Sequence, residues 1–355
     1  MTRRRILLNR EPISLSKLSR CDLVVIIVSW NVRAVLRRAL EAVMADAAAA
    51  QLAVEIIVVD NASRDGTVEM LRADFPNVRV IANAENVGFT RANNQGLQCA
   101  ASTERTPFRS VTPLSSAPPL DSATANGRYI FFLNPDTEIQ PGALRAMLDF
   151  MDAPENARVG ILGPQLFYAD GSLQSSRRRF PKFSTALLEA TKLQQWFPHN
   201  RTLTDYYLLN TDDSLVQDVD WVVGAAMFVR RAALEQIGGF DERFFMYSEE
   251  LDLCYRAKQA NWRVVYFPPA RVLHHEAKSS AQVRAQRDIY FHSSKARYFK
   301  KYHGNLQGEL LRYFLLGMFA YQWLEEGAKF LVGHKRELRA ERMKAYAQVL
   351  TNGLK

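Results

Sequence analysis

A short stretch of the chain, residues 240–256, holds acidic side chains among apolar residues. Glu249, Glu250 and Asp252 follow a run of Phe and Met and are interleaved with Leu and Cys. Apolar surroundings disfavour the charged form of a carboxyl group, so they raise its pKa and prepare it to act as a general base. The alternative is an acidic first turn of a helix, in which Asp252 pairs with Arg256 at i,i+4. Taken alone, the stretch favours this alternative, so residues elsewhere must decide between the two.

Polar side chains also follow three predicted strands. The strands are continuous runs of β-branched and aromatic residues, typical of strands buried on both faces, at positions 23–28, 54–59 and 129–133. Ser29, Asp60 and Asp136 come at or just after the ends of these runs. Because ligands of open α/β sheets bind outside the carboxyl ends of the strands, the three side chains are predicted to converge on one crevice.

Helical patterns separate the strands and indicate parallel βαβ units. The predicted fold class is therefore α/β, with a mixed, mainly parallel sheet flanked by helices. Helices are predicted at residues 32–50, 67–75, within 86–101 and at 142–151. Further strands are predicted at residues 78–81, 159–164, 221–229, 263–267 and 272–276.

Composition divides the chain into parts. Of its 355 residues, 48% are hydrophobic and 23% are charged, as in ordinary globular proteins. Residues 1–20 are basic and are predicted to form a mobile arm, residues 21–282 form the main domain, and residues 283–355 form a helical, basic appendage. Within the main domain, the segment at about 102–127 is rich in Ser, Thr, Ala and Pro and is predicted to be a disordered insertion.

The net charge of +9 indicates an anionic partner or surface. Nucleic acid is the weaker choice and is not predicted, because no zinc-ligand spacing, RNA-binding aromatic motif or helix-turn-helix pattern accompanies the charge. Membrane phospholipid fits better. Cys21, Cys99 and Cys254 are few and far apart, so they indicate thiols in a reducing compartment. The N-terminus lacks an apolar run long enough for a signal peptide, so the predicted location is the cytoplasm.

Residues 310–332 are the most apolar segment of the C-terminal region. The uncharged run between Arg312 and Glu325 has twelve residues, whereas a membrane-spanning helix needs about twenty. We therefore expect helices that lie in a membrane interface, since many Lys and Arg accompany them. The alternative is a helical hairpin that packs on the main domain or on a second subunit, so an oligomer stays open.

Six motifs occur in the order that one known family shows. They are VSWN at 28–31, VDNASRDGT at 59–67, NVGF with ANNQG at 86–96, NPDT at 134–137, GAAMFVRR at 224–231, and the acidic stretch at 240–256. With these motifs, residues 22–280 resemble family 2 glycosyltransferases of the GT-A fold, closest to their rhamnosyltransferase-like branch. The chain departs from the family in the insertion at 102–127 and at Glu250, where the family usually has Asp.

The resemblance implies inverting transfer from a nucleotide sugar, with a divalent cation, Mg²⁺ or Mn²⁺, on the donor diphosphate. Glu250 occupies the position of the family's base, and Glu249 is the runner-up. Their side chains diverge by about 100° on helical geometry, so only one of them is expected to face the crevice. Asp136 is expected to hold the metal together with His274, and His275 is the runner-up for the second ligand.

Most of the remaining site residues occupy positions that match the family's motifs, whereas Arg178 and Trp221 are expected from their residue types. Asp252 joins the catalytic acids. Asp60 would accept from the imide of a uracil or thymine ring or cap the next helix, and Gly88 would let the backbone approach the nucleotide or serve a tight turn. Arg178 would clamp the diphosphate or lie in a solvated loop. The expected donor site comprises Ser29, Asn31, Asp60, Asn61, Asn86, Gly88, Phe89, Asn93, Asn134, Asp136 and Arg178. The expected sugar and acceptor pocket comprises Trp221, Gly224 and Ala225, and a buried aromatic is the alternative for Trp221.

The resemblance implies a sugar donor, dTDP-rhamnose first and a UDP-hexose second, and an acceptor that is a cell-surface polysaccharide or a polyprenyl-linked glycan. Such an enzyme would be peripheral at the inner face of the cytoplasmic membrane. A nucleotidyltransferase is one alternative, although the first βα turn has no Gly-rich phosphate loop with a following Lys. A degenerate glycan-assembly or binding subunit is the other, and it requires that Glu250 and Asp136 fail to meet across one cleft.

Overall fold

The computed structural model describes residues 21–101, 108–110, 127–191, 197, 200–275, 284–333 and 335–355. The predicted basic arm at 1–20 and most of the predicted insertion at 102–127 lie outside these ranges, so both stay predictions. Within the insertion, Phe108–Ser110 is described and forms a short strand. The sequence pattern does not show this strand.

Strands and helices alternate through the first half of the chain, as the predicted βαβ pattern requires. The strands are β1 (Leu23–Ser29), β2 (Val54–Asp60), β3 (Arg79–Ala82), β4 (Phe108–Ser110), β5 (Tyr129–Leu133), β6 (Thr137–Ile139), β7 (Val159–Phe167), β8 (Leu173–Gln174), β9 (Arg177–Arg178), β10 (Gln217–Val219), β11 (Trp221–Val222), β12 (Ala226–Arg230) and β13 (Arg263–His274). The helices are α1 (Arg33–Ala49), α2 (Thr67–Asp74), α3 (Phe89–Ala101), α4 (Ala143–Asp152), α5 (Phe183–Glu189), α6 (Arg201–Tyr206), α7 (Arg231–Ile237), α8 (Glu249–Gln259), α9 (Arg284–His303), α10 (Asn305–Leu331) and α11 (Arg336–Asn352).

The main sheet has the strand order β10-β13-β7-β12-β5-β1-β2-β3-β4. Strands β5, β1, β2, β3 and β4 run parallel to one another, and β12 runs antiparallel to both of its neighbours, β5 and β7. The predicted mixed, mainly parallel sheet flanked by helices is therefore confirmed. In register, Ser29 lies beside Asp60 at the carboxyl ends of β1 and β2.

Two apolar layers cover the sheet, because the central strand β1 is apolar on both faces. Val24, Ile26 and Val28 pack with residues of α3, α8 and the C-terminal helices. Leu23, Val25 and Ile27 pack on the other face with residues of α1, α2 and α4. Full burial of each such side chain contributes about 1.5–3 kcal/mol, so both layers hold the strand ends in place.

Two predicted strand boundaries were wrong. The run at 221–229 forms two strands, β11 and β12, which are separated at residues 223–225. The runs at 263–267 and 272–276 were predicted as separate strands, whereas one strand, β13, covers the first run and the start of the second and ends at His274. Its pairing with β7 shifts in register between Phe267 and Arg271. The irregularity accommodates Pro268 and Pro269, because a proline that cannot donate to the ladder is tolerated at such a position.

The predicted helical region at the C-terminus is confirmed as α9, α10 and α11. Leu311, Leu315 and Phe319 of α10 are buried in the same apolar layer as Tyr298 and Phe299 of α9. These helices therefore pack on the α8 side of the sheet. Among the described residues, none of the helices has the length and apolar character that a membrane span requires.

Candidate active site

A cleft with a volume of 540 Å³ opens at the carboxyl ends of the parallel strands. Ser29 at the end of β1, Asn61 after β2 and Asp136 after β5 all line it. The hydroxyl oxygen of Ser29 is buried and has no hydrogen-bond partner among the described residues. A polar atom left in this state at a cleft wall indicates a place for a polar ligand group.

Glu249 and Glu250 both line this cleft, at the first turn of α8. Each carboxyl group has a buried oxygen, Oε2, with no hydrogen-bond partner in the part of the chain that the structure describes. Burial raises the pKa of Glu250 to about 7, and burial together with the charge of Glu250 raises the pKa of Glu249. The expectation that only one of the two faces the crevice was wrong, because both line the cleft.

The backbone before α8 adopts an unusual conformation. Tyr247 and Ser248 both have positive φ, 68° and 63°, a region that side chains other than glycine rarely adopt. This turn starts the helix directly at Glu249, and Glu249 and Glu250 lie at the cleft. Across the cleft, a Cβ added to Gly224 would lie 3.3 Å from Cβ of Glu250. A larger residue at 224 would therefore displace the proposed base.

Asp252, which was expected among the catalytic acids, lies elsewhere. Its side chain is fully buried and forms ion pairs with Arg256 and Lys301. Its Oδ2 accepts from Nε of Arg256 at 2.8 Å, and its Oδ1 accepts from the hydroxyl of Tyr302 at 2.6 Å. The expectation is corrected: these bonds occupy the carboxylate, and Asp252 joins α8 to the C-terminal helix α9.

Asp136 and His274 face each other in the cleft, each with only 8% of its side chain exposed. Nε2 of His274 lies 3.5 Å from Oδ1 of Asp136. Nδ1 of the same ring lies 2.9 Å from Oε1 of Gln174, an oxygen acceptor. A neutral ring that donates from Nδ1 keeps the Nε2 lone pair toward Asp136, as in metal sites where a second group orients the histidine.

These two side chains fit a cation that takes its other ligands from a bound diphosphate and water. The described residues contain no group of three or more His, Cys, Asp or Glu that could hold a metal alone. Such sparse protein ligation suits Mg²⁺, which keeps several waters and borrows phosphate oxygens. His275, the runner-up, instead places Nε2 2.7 Å from Oε1 of Glu138. Because its ring contacts Glu138, His275 is less suitable than His274 as the second metal ligand.

The motif at 86–96 holds the acidic loop in place. The N–H of Phe89 donates to the carbonyl of Phe245 at 2.9 Å. Gly88 has φ +90°, and a Cβ there would lie 2.7 Å from the Phe245 ring. Asn86 and Phe89 line the cleft, while Gly88 serves the close packing of its turn on the loop before α8. Of the two readings of Gly88, the structure therefore supports the tight turn.

Three other expected donor residues form contacts behind the cleft. Oδ1 of Asn31 accepts from the N–H of Arg64 at 2.7 Å, and Nδ2 of Asn93 donates within α3 to the carbonyl of Phe89 at 3.0 Å. Oδ2 of Asp60 accepts from the N–H of Ser63 at 2.9 Å, so it stabilises a turn and does not cap α2. Its other oxygen, Oδ1, is buried without a partner among the described residues.

The predicted arginine clamp at 177–179 is corrected. Arg178 lies over the ring of Tyr207, 4.6 Å from its centroid, and donates to Oγ of Ser175 at 2.8 Å. Burial lowers the pKa of Arg178. Arg177 is buried and forms an ion pair with Asp213. These contacts hold β9 against its surroundings, so the arginines have a structural role.

Trp221 is likewise a core residue. Its ring belongs to the apolar layer on the α8 side of the sheet, and its indole N–H donates to the carbonyl of Arg179 at 2.8 Å. The expectation of a sugar platform is corrected in favour of the buried aromatic. The tryptophan that lines the cleft is Trp30, which follows β1 within the first motif. Gly224 and Ala225, expected in the sugar pocket, do line the cleft, as does Asn134.

Helix α9 supplies a cleft wall that the sequence reasoning missed. Gln286, Arg287 and Tyr290 line the cleft, and the ring of Tyr290 stacks on Phe245 at a centroid distance of 4.4 Å. Arg287 is the cleft's basic side chain within the described residues. The sequence shows that α9 is basic, but it does not show that this helix packs beside the carboxyl ends of strands far away in the chain.

A mainly parallel sheet with an acidic cleft and an Asp–His pair at its strand ends defines a class of enzymes, the glycosyltransferases of the GT-A fold. A family model described as "Glycosyltransferase like family 2" matches residues 21–288, so the chain belongs to glycosyltransferase family 2. The mannosyltransferase PcManGT from Pyrobaculum calidifontis, solved with GDP-Man and Mn²⁺, has a similar fold. Its TM-score is 0.51 at 14% identity, over 95% of this chain and 88% of that one.

Two curated relatives carry names that specify a sugar. The N-acetylglucosaminyl-diphospho-decaprenol L-rhamnosyltransferase of Mycobacterium tuberculosis strain H37Rv is 32% identical over 267 residues, which are 75% of this chain and 81% of that protein. The rhamnosyltransferase WbbL of Escherichia coli K12 is 30% identical over 153 residues, which are 42% of this chain and 53% of that protein. The predicted glycosyltransferase activity is thereby confirmed at the level of the family.

Proposed function

We propose that the protein is an inverting rhamnosyltransferase that transfers L-rhamnose from dTDP-rhamnose to a glycan carried on a polyprenyl diphosphate. The sugar is supported by the names of both relatives, and the lipid-linked acceptor is supported by the name of the mycobacterial relative. A UDP-hexose is the second donor candidate, because the cleft residues do not by themselves distinguish the sugars. The reaction would take place at the cytoplasmic face of a membrane, where a lipid-linked acceptor is available.

The observation that carries the proposal is the placement of Glu250 and Asp136 on one cleft. Inversion needs a base on the acceptor side and charge neutralisation on the leaving-group side. Glu250 takes the proton of the acceptor hydroxyl as the oxygen attacks the anomeric carbon opposite the departing diphosphate. A degenerate binding subunit would have no need to hold both groups at this cleft, so an active enzyme is favoured.

Arg287 and the Asp136–His274 pair act on the leaving group. A divalent cation, when bound, supplies Lewis-acid stabilisation of the charge that develops on the diphosphate. Asp136 and His274 would hold that cation, and a hydrogen bond from Nδ1 of His274 to Oε1 of Gln174, 2.9 Å away, would leave Nε2 as the ligand atom. Arg287 contributes a fixed positive charge with several N–H donors, in the role first expected of Arg178.

A donor screen tests this proposal. Release of nucleoside diphosphate is measured for dTDP-rhamnose and UDP-hexoses, with Mg²⁺, with Mn²⁺ and in excess chelator. We expect release from dTDP-rhamnose with metal only, and its loss in both Asp136→Ala and His274→Ala. His275→Ala is the matched control, because His275 contacts Glu138 away from the cleft. Full activity of wild-type protein in chelator would contradict the metal assignment, and preference for a UDP-hexose would contradict the donor assignment.

A further inference from the structure

The exposed face of α10 differs from an ordinary protein surface. This helix has 27 residues and would extend about 40 Å. At 100° per residue, its most exposed apolar side chains fall within a sector of about 80°. They are Leu306, Leu310, Tyr313, Tyr321, Leu324 and Leu331. We call this sector the apolar face of α10.

The charged residues of α10 all lie off the apolar face. Helical geometry places Glu309, Arg312, Glu325, Glu326 and Lys329 outside its sector. Several of them are engaged elsewhere, since Glu326 pairs with arginines of α11 and Lys329 pairs with Glu325. An uncharged apolar strip of this length is larger than the scattered apolar residues of a normal surface, so it indicates an interaction site.

The rest of α10 is already buried against the protein. Leu311, Leu315 and Phe319 project into the apolar layer beneath it. The neighbouring helix α11 gives the internal control, because its exposed positions include Glu337, Glu341 and Lys344. Two adjacent helices of one region therefore present different surfaces, and only α10 presents an apolar one.

The charges around the apolar face identify the partner as an anionic lipid surface. Residues 284–355 hold fourteen Lys and Arg against six Asp and Glu. Lys300, which is half-exposed and pairs with Glu309, precedes α10, and the exposed residues Lys335 and Arg336 follow it. A helix with an apolar side and basic surroundings lies in the plane of a membrane interface. Tyr313 and Tyr321 fit that depth, since a tyrosine places an apolar ring and a wet hydroxyl at the boundary.

We propose that the apolar face of α10 docks the protein on the surface of an anionic bilayer. A second copy of the chain would also cover an apolar strip, but it would not account for the basic residues at both ends of the helix. This inference deepens the proposed function and rests on it for its purpose. Helix α9, which packs on α10, also lines the cleft through Arg287 and Tyr290. Docking would thus hold the cleft near the surface that carries the acceptor.

Vesicle co-sedimentation of the full chain, without donor or acceptor, tests the docking face. We expect wild-type protein to bind vesicles of phosphatidylglycerol and phosphatidylcholine, and to bind pure phosphatidylcholine more weakly. The double variant Leu310→Glu/Leu324→Glu should bind at least tenfold more weakly. The control variant is Leu209→Glu/Leu215→Glu, whose leucines on the catalytic domain are 60% and 58% exposed, against 51% and 62% for Leu310 and Leu324. It should bind as the wild type does.

Equal vesicle binding by the double variant and the control would overturn the proposal, as would no binding by the wild type. A wild-type dimer in sedimentation velocity that the double variant converts to a monomer, with vesicles bound by neither, would assign the face to a second copy and also overturn it. If the double variant unfolds, Leu324→Gln replaces it. Because no turnover is measured, failure of the donor screen with intact vesicle binding would reject the proposed function alone.

Discussion

The three acids in the first turn of α8 have two different environments. Asp252 is fully buried yet satisfied by Arg256, Lys301 and Tyr302. Glu249 and Glu250 are held at the cleft, and each keeps an oxygen without a hydrogen-bond partner among the described residues. Burial alone therefore does not identify a catalytic acid. What distinguishes Glu249 and Glu250 from Asp252 is an unpartnered carboxyl oxygen at a cleft. Such an oxygen costs folding free energy unless a ligand binds it.

The largest effect is expected at Glu250. Glu250→Gln keeps the size of the side chain but cannot accept a proton, so kcat should fall about a hundredfold to ten-thousandfold. The donor KM should change little, because the base acts on the acceptor. Steady-state kinetics with dTDP-rhamnose measure both quantities. A variant with normal kcat would show that the unpartnered oxygen marks something other than the base.

Asp252→Asn should give the complementary result, a loss of stability without a specific loss of chemistry. Removal of one partner from a buried ion pair costs about 3–5 kcal/mol, because Lys301 and Arg256 keep their charges beside a neutral amide. Chemical denaturation measures the free energy of unfolding, and kcat per folded molecule should stay within a few-fold of wild type. A hundredfold loss of kcat in folded protein would return Asp252 to the catalytic group.

Glu249→Gln should have the smallest effect on turnover. Burial and the charge of Glu250 raise the pKa of Glu249, which favours its protonated form, and a neutral amide imitates that form. We expect less than a tenfold loss of kcat, and an acid limb of kcat/KM that stays near pH 7, where Glu250 ionises. A shift of this limb, or a loss as large as that of Glu250→Gln, would make Glu249 the base.

The pH dependence of the free energy of unfolding gives a second test of Glu249→Gln. A group with a raised pKa in the folded state binds more protons when folded than when unfolded. The free energy of unfolding therefore falls as pH rises from the ordinary glutamate pKa through the raised one. Denaturation at pH 5 and pH 8 should show this fall for wild type and a smaller fall for Glu249→Gln.

The sequence predicted the parts of the site that depend on strand ends. Ser29 and Asp136 meet at the cleft because parallel strands bring their carboxyl ends to one edge of the sheet, which the strand pattern predicts. Asn134 and His274, which also line the cleft, were expected from the resemblance to the family. Their roles toward donor and metal stay predictions. Of the side-chain partners of Asp252, Arg256 was predicted from its i,i+4 spacing and is confirmed. Lys301 and Tyr302 could not be predicted, since they belong to a helix about fifty residues later.

The predictions for Arg178 and Trp221 were wrong for a related reason. Arg178 and Trp221 were assigned from their type, as a cation and an aromatic near the motifs, yet the antiparallel pair of β9 and β11 directs both into protein contacts. A chain pattern predicts which residues approach a sheet edge. It does not predict which of them face an open cleft and which face a neighbouring strand.

Helix α9 has a consequence for how such proteins exchange parts during evolution. The match to the family ends at residue 288, inside this helix. A hybrid that inherits residues 21–288 from this chain and the remainder from a distant relative would keep Arg287 in the cleft, but the hydrogen-bond partners of Asp252 at 301 and 302 would come from the other parent. The segment that must be inherited as one unit therefore extends at least to Tyr302. Recombination within α9 is expected to be counter-selected unless both parents have Lys at 301 and Tyr at 302.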